Sequence, residues 1–371
     1  MATIALPIRH GSLARVGTGI PLVVGMFGTL LSWFGSGWDV SWHRIFGRDT
    51  FWTTPHLFIY AGVTLWGLAA LFATATAMAG RPIRGKPLVV GPLRAEVGIA
   101  LIGIGALVTI LAAPFDNLWH VAFGRDVDIW SPPHLFGIAG GAIGLAGWIA
   151  ALAPGVFALD DWLRRFLRLF MLGNLCAVCV FSLNFYYIAA VTREALFYPL
   201  LIAASIPAVL AIGTLAVPGR WAATATAGAY TVIALVGYGM LAGSGWRAPA
   251  FPALVLAGGV AIDVLRARGG RLAHPLVLGL GFSVAFVAAE LVRMTLFSPP
   301  APTSVLGGVE PQLTRLFFQY YEQTVARSWV SWWPLAAAAL GAPLAAASWR
   351  VGALVGRVLA DDLHAEALAH P

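Results

Sequence analysis

The sequence predicts an all-α polytopic membrane protein of about ten transmembrane helices, with a duplicated helical hairpin near its N-terminus. Three observations carry this expectation. Of the 371 residues, 59% are hydrophobic and 11% charged, where a soluble domain carries about 25% charged residues. Several apolar runs reach the ~20 residues that a helix needs to cross a bilayer. The stretch WDVSWHRIFGRDTFWTTPH, Trp38 to His56, recurs as FDNLWHVAFGRDVDIWSPPH at 115–134.

Hydropathy places the spans in chain order. The first, 17–44, follows the basic segment MATIALPIRHGSLARVG, which lacks a small-x-small cleavage pattern, so it reads as a retained span and not a signal peptide. The others fall at about 54–79, 94–120, 133–153, 165–190, 197–217, 221–243, 249–266, 273–296 and 331–353. Residues 1–155 form a four-helix half that holds both copies of the motif, and 156–371 a six-helix half. The longest loop opens with the Pro/Gly-rich SPPAPTSVLGG. It continues into an amphipathic segment, 310–329, with Leu313, Leu316, Phe317, Tyr320 and Tyr321 on one face, which suits a helix lying in the membrane interface.

Arginine and lysine set the orientation. Fifteen of the 23 lie in the termini and in alternate loops, from Arg9 and Arg15 through Arg81, Arg84, Lys86 and Arg94 to Arg350 and Arg357. The opposite side holds eight. Both termini are therefore expected in the cytoplasm of a cell (inner) membrane, and both motif copies towards the outer face. The net charge of +7 is scattered over short loops, with no basic stripe interleaved with aromatics, so nucleic-acid binding is excluded. There is no phosphate-binding glycine loop with its lysine, no nucleotide fingerprint and no Gly-x-Ser-x-Gly elbow, which argues against an ATP-driven pump. The 42 glycines fit close helix packing in lipid. Cys176 and Cys179 sit in the apolar run NLCAVCVF and read as core thiols in preference to a soft-metal pair.

The two copies share Asp39/Asp116, Trp42/Trp119, His43/His120, Phe46/Phe123, the Gly-Arg-Asp turns (Arg48, Asp49 and Arg125, Asp126) and the Pro-His pairs ending at His56 and His134. Each covers the end of one helix, a short loop and the start of the next. Asp39 and His43 are four apart, on one helical face. Thr54 and Pro55 read as N-cap and first-turn proline, which puts His56 in the opening turn of the second helix. Ser131, Pro132 and Pro133 do the same for His134. A tight hairpin then converges Asp39, His43 and His56, and likewise Asp116, His120 and His134. One carboxylate and two imidazoles make a metal-ligand set suited to iron(II), and imidazole-rich sites also suit copper and zinc. Ionisable groups at membrane depth are costly and face a cavity or bundle interior. The Arg–Asp turns read as loop stiffening or outer-shell support, and the repeated tryptophans as an interfacial belt. Glu290 and Arg293, three apart in the ninth span, read as an internal salt bridge or helix clamp, with a cavity-facing role as the alternative. Asn184, Tyr186 and Tyr187 are further candidates for a cavity.

The spacing resembles the metal-binding membrane chain of the copper membrane monooxygenases, the particulate methane and ammonia monooxygenase family. In that family one copper site is Asp-x3-His-x12-His and a second is Asn-x3-His-x13-His. Asp39-x3-His43-x12-His56 matches the first and Asp116-x3-His120-x13-His134 the second. The resemblance implies six copper ligands in two neighbouring sites, oxidation of a small apolar or gaseous substrate with dioxygen, a quinol reductant, further oxygenase subunits and a homo-oligomer. It covers about residues 30–140. Asp116 replaces the family's asparagine, the motif here ends the first span where the family has earlier helices, and the six spans after Leu163 have no counterpart. Two other functions fit the residues themselves: a membrane metal carrier or loading protein, and a non-catalytic structural subunit whose hairpins are stapled by metal.

Overall fold

The computed structural model describes residues 10–46, 50–83, 85–123, 131–154, 156–188, 197–246, 252–296 and 332–367. Ten α-helices account for most of them: α1 (His10–Phe46), α2 (Thr54–Met78), α3 (Val97–Phe123), α4 (Pro132–Ala151), α5 (Asp161–Ile188), α6 (Phe197–Ala216), α7 (Ala222–Gly243), α8 (Val255–Arg268), α9 (Pro275–Leu296) and α10 (Trp333–Ala367). Each expected span has a helix at its place. Eight of the helices described are long and apolar enough to cross a membrane, which makes the chain a multi-pass membrane protein. Helix α5 is 28 residues long, with Arg164, Arg165 and Arg168 in its opening turns, and its side chains after Val180 lie outside those described. At 14 residues, α8 is only about 21 Å long, and Gly269 at φ +66° ends it. The amphipathic segment expected at 310–329 lies outside the described residues.

The described residues are mostly helical, as an all-α membrane chain requires, with one short element outside the helices. An antiparallel hairpin of β1 (Pro87–Val90) and β2 (Leu93–Glu96) joins α2 to α3, with Pro87 opposite Glu96 and Val90 opposite Leu93. Its cause is local: the β-branched pair Val89-Val90 meets Gly91, whose φ of +58° closes a two-residue turn. The third span consequently begins at Val97 and not at 94. Glu96, 7% exposed, then caps that helix, its carboxylate accepting the Ile99 N–H at 2.8 Å.

Helices α1 and α2 pack along each other, as do α3 and α4, with α2 against α3. Between membrane helices, small residues allow the close approach that gives van der Waals contact. A methyl on Gly62 of α2 would collide with the Gly28 carbonyl and the Ser32 hydroxyl of α1. The arrangement recurs 77 positions on in the first helix and 78 on in the second: a methyl on Gly140 of α4 would meet the Gly105 carbonyl and the Thr109 hydroxyl of α3. The interhelical hydrogen bonds recur too, Ser32 Oγ to the Ile59 carbonyl and Thr109 Oγ1 to the Gly137 carbonyl, each 3.3 Å. Trp66 of α2 lies over Gly144 of α4, and Trp148 of α4 over Gly25 of α1, tying the four helices into one unit. The Trp66 indole N–H donates to Thr29 Oγ1 at 3.0 Å and to the Gly25 carbonyl at 3.2 Å.

The second half continues as α5 against α7, α7 against α8, α8 against α9, and α10 against both α6 and α9. Buried charges there serve helix ends, where backbone groups lack intrahelical partners. Asp263, 1% exposed, accepts the N–H and hydroxyl of Thr224 in the first turn of α7 at 2.8 and 2.9 Å. Glu290 accepts the Leu254 N–H at the start of α8 at 2.8 Å and takes Arg293 Nε at 2.7 Å. Arg168 donates to the Ala216 carbonyl at the end of α6 at 2.8 Å.

Candidate metal centre

Asp116 and His120 share one face of the last two turns of α3, and His134 sits in the first turn of α4. Pro132 starts that helix directly after its N-cap, Ser131, so His134 is turned back towards α3. Asp116 stands between the two imidazoles: Oδ2 is 3.0 Å from His120 Nε2 and Oδ1 is 3.3 Å from His134 Nε2. One ligand atom from each of the three side chains lies within 4.8 Å of the others. The outer ring nitrogen of His134, Nδ1, is 3.1 Å from the Ser131 hydroxyl, so the cap residue that starts the helix also orients the ring. Such outer contacts are how proteins aim a metal-ligating histidine.

The first copy shows the same relation across its hairpin. Thr53 is the N-cap of α2 and Pro55 lies in the opening turn, one residue earlier than the expected cap at Thr54. His56 Nε2 is 3.3 Å from Asp39 Oδ1. Its Nδ1 is 3.0 Å from the Thr50 carbonyl. With Nδ1 donating to that carbonyl, Nε2 faces the carboxylate, where a proton or a metal ion could be shared between them. His43 lies on α1, but its side chain is outside those described. Arg48, Asp49, Arg125 and Asp126 also lie outside the described residues.

The half-buried Asp39 and Asp116 differ from the buried acids in where they sit. Glu96, Asp263 and Glu290 each accept a backbone N–H in a first turn or cap. Asp39 and Asp116 sit two turns from the C-terminal ends of α1 and α3, and they face imidazoles instead.

A cavity of about 310 Å³ lies between the two hairpins. His56 and Tyr60 of α2 form one wall with Thr50 and Phe51, and Ala113, Asp116, Asn117, His120 and Val121 of α3 form the other. One chamber is thus shared by a histidine of the first copy and by the carboxylate and a histidine of the second. Glu290 and Arg293 do not line it. Both are 3% exposed; they pair with each other within α9 at 2.6 Å, and Glu290 ties that helix to the start of α8 by accepting the Leu254 N–H. Cys176 is buried in the core and Cys179 partly so, both as free thiols. The side chains of Asn184, Tyr186 and Tyr187 are outside those described.

Three contributors escaped the sequence. Tyr60 is four residues after His56 and so on its helical face, a spacing that could have revealed it. Asn117 is signalled by nothing except adjacency to Asp116. Trp246, beyond the end of α7, packs on Trp38 and Trp42 with ring centroids 5.5 and 6.0 Å apart; no local pattern ties it to the motif. Comparison with family models, with curated proteins and with solved structures gave no match, so the site rests on its own geometry.

Proposed function

We propose that this chain is a copper-binding integral membrane protein that works as an oxygenase, or as a subunit of one, on a small apolar or gaseous molecule. The observation that carries the reading is Asp116 held between His120 and His134, with His56 of the other hairpin across a common cavity. The donor set fits a metal: one carboxylate and two Nε2 atoms close enough to share an ion, in a membrane region where ionisable groups need a purpose. Asp116, His120 and His134 would hold one ion, and Asp39 and His56, joined by His43, a second. Copper bound there would supply the one-electron redox chemistry that dioxygen activation requires. The residues themselves do the rest. Ser131 and the Thr50 carbonyl fix the orientation of His134 and His56, and the cavity keeps a small molecule beside the ligands. By the same reading the chain crosses the inner membrane ten times with both termini in the cytoplasm and the clusters outward. It forms a homo-oligomer, works with further oxygenase subunits and draws on quinol.

A second reading is favoured by the same contacts. Asp39–His56 and Asp116–His134 each tie the end of one helix to the start of the next, so a metal there would also staple the hairpins without turnover. Metal content and spectroscopy of purified wild type beside His56→Ala and His120→Ala separate these readings. Copper near one or two equivalents, lost site by site, together with dioxygen consumption, supports the oxygenase. Stoichiometric metal whose removal only lowers the unfolding temperature supports the staple. Iron or zinc in the same ligands removes copper from the proposal, and no metal after reconstitution overturns both readings.

A further inference from the structure

We propose that the β1–β2 hairpin is a membrane anchor that seats its apolar tip in the surface of an anionic leaflet, with Lys86 and Arg94 against the lipid phosphates. The hairpin lies at the end of α2 and α3 remote from the metal centre, so the anchor stands apart from the metal reading.

The base and the tip of the hairpin differ. At the base, Ala95 and Glu96 are buried, β2 packs against α2, and a methyl on Gly85 would collide with Val156, beyond the end of α4. At the tip, Val89, Val90 and Leu93 are 60, 59 and 40% exposed around the Gly91-Pro92 turn. Hairpin turns that face water favour Asn, Asp or Ser beside their glycine or proline; this one has aliphatic neighbours instead. The ladder pairs Val90 with Leu93 and Val89 with Arg94. Residues opposed across a ladder share a face, so both faces of the tip carry apolar side chains. Membrane crossing does not account for their exposure, since the hairpin lies between α2 and α3 and belongs to neither.

Charge selects the partner. Arg81, Lys86 and Arg94 are exposed, and the one acid of segment 79–96, Glu96, is turned inward to cap α3. An apolar wedge ringed by cations and free of exposed acid suits an anionic lipid surface. A protein partner fits less well, because three half-exposed aliphatic side chains fall far short of the roughly 800 Å² that each side of a stable interface buries. Strands of four residues are about 13 Å long, so a hairpin docked beside α2 keeps its tip near the headgroup layer. In the orientation proposed above this is the cytoplasmic leaflet, whose negative surface potential attracts basic segments.

The test puts a nitroxide spin label at Val90→Cys, and separately at Leu93→Cys, in the full chain, with labelled wild type subtracting any signal from Cys176 and Cys179. Nanodiscs of phosphatidylcholine are compared with discs that also contain phosphatidylglycerol. Collisions with dissolved oxygen, which concentrates in lipid, and with a neutral nickel chelate, which stays in water, are read from power saturation. In the anionic discs nickel collisions should drop several-fold below those of free spin-labelled cysteine, and oxygen collisions should exceed them. Lys86→Gln with Arg94→Gln should raise nickel collisions about twofold in those discs and leave the phosphatidylcholine discs unchanged. Nickel collisions equal to the free label at both positions place the tip in water and overturn the anchor. Low collision with both reagents means that protein covers the tip, which overturns it as well. Equal protection with and without phosphatidylglycerol overturns the role given to Lys86 and Arg94.

Discussion

The two hairpins carry the same ligand letters in different surroundings. The first is propped from the second half of the chain: Trp246 packs on Trp38, Trp42 and Phe46, and Trp33 of α1 reaches Gly237 of α7. The second, among the described residues, stacks on its own aromatics, with Trp119 against Phe115 and Phe123, and its flank is open. Leu118, Val121 and Phe123 are 65, 75 and 61% exposed, an apolar surface suited to lipid. The outer ring nitrogens differ as well, His56 bonding a backbone carbonyl and His134 a serine hydroxyl. A repeated motif therefore specifies ligand geometry within each hairpin, while the support around it depends on what the rest of the fold brings near.

The sharpest way to break the comparison is to remove one carboxylate at a time. Asp116→Ala should abolish metal at the second hairpin, a loss of one full equivalent by elemental analysis, and leave the first loaded. Asp39→Ala should do the reverse. Loss of all metal from either variant would show one coupled site in place of two. Next in size is the close helix packing that both hairpins share. Gly62→Val and Gly140→Val should each cost about 2–3 kcal/mol in unfolding by denaturing detergent, and similar values would show that the two hairpins are built alike.

Trp246→Ala tests the support that the first hairpin draws from α7. It should cost about 2 kcal/mol for a half-buried tryptophan, and metal should weaken at the Asp39–His56 site while the Asp116 site holds its affinity. The smallest expected effect concerns the outer bonds. Ser131→Ala removes the contact to His134 and should weaken the second site about tenfold. Thr50→Ala keeps the backbone carbonyl that holds His56 and should leave the first site unchanged in metal titrations.

How much of this was legible in the sequence differs by element. Helices α1–α4 were, because long apolar runs specify membrane helices without help from neighbours, and Pro55 and Pro132 mark the starts of α2 and α4. The convergence of Asp116, His120 and His134 was as well, since four-residue spacing and a short loop leave few other arrangements. The β1–β2 hairpin was hidden inside an apolar segment that reads as the entry to a span. The shortness of α8 was hidden too, because hydropathy weighs composition and does not see where the helix starts: the expected span opened at 249, and α8 begins at Val255. Glu290 looked like a candidate for chemistry or simple pairing, and Asp263 carried no signal at all, but each serves the start of a neighbouring helix distant in the chain.

By itself the sequence determined a multi-pass helical membrane protein and two local sets of ligand types, because bilayer thickness and helical periodicity act over a few turns of chain. The tertiary structure alone decided that α2 lies against α3, so that His56 and Asp116 share a chamber with Tyr60 and Asn117. It also decided that Trp246 packs on the first hairpin. Those outcomes depend on which small residues let helices approach across dozens of intervening positions, and no local pattern carries that information.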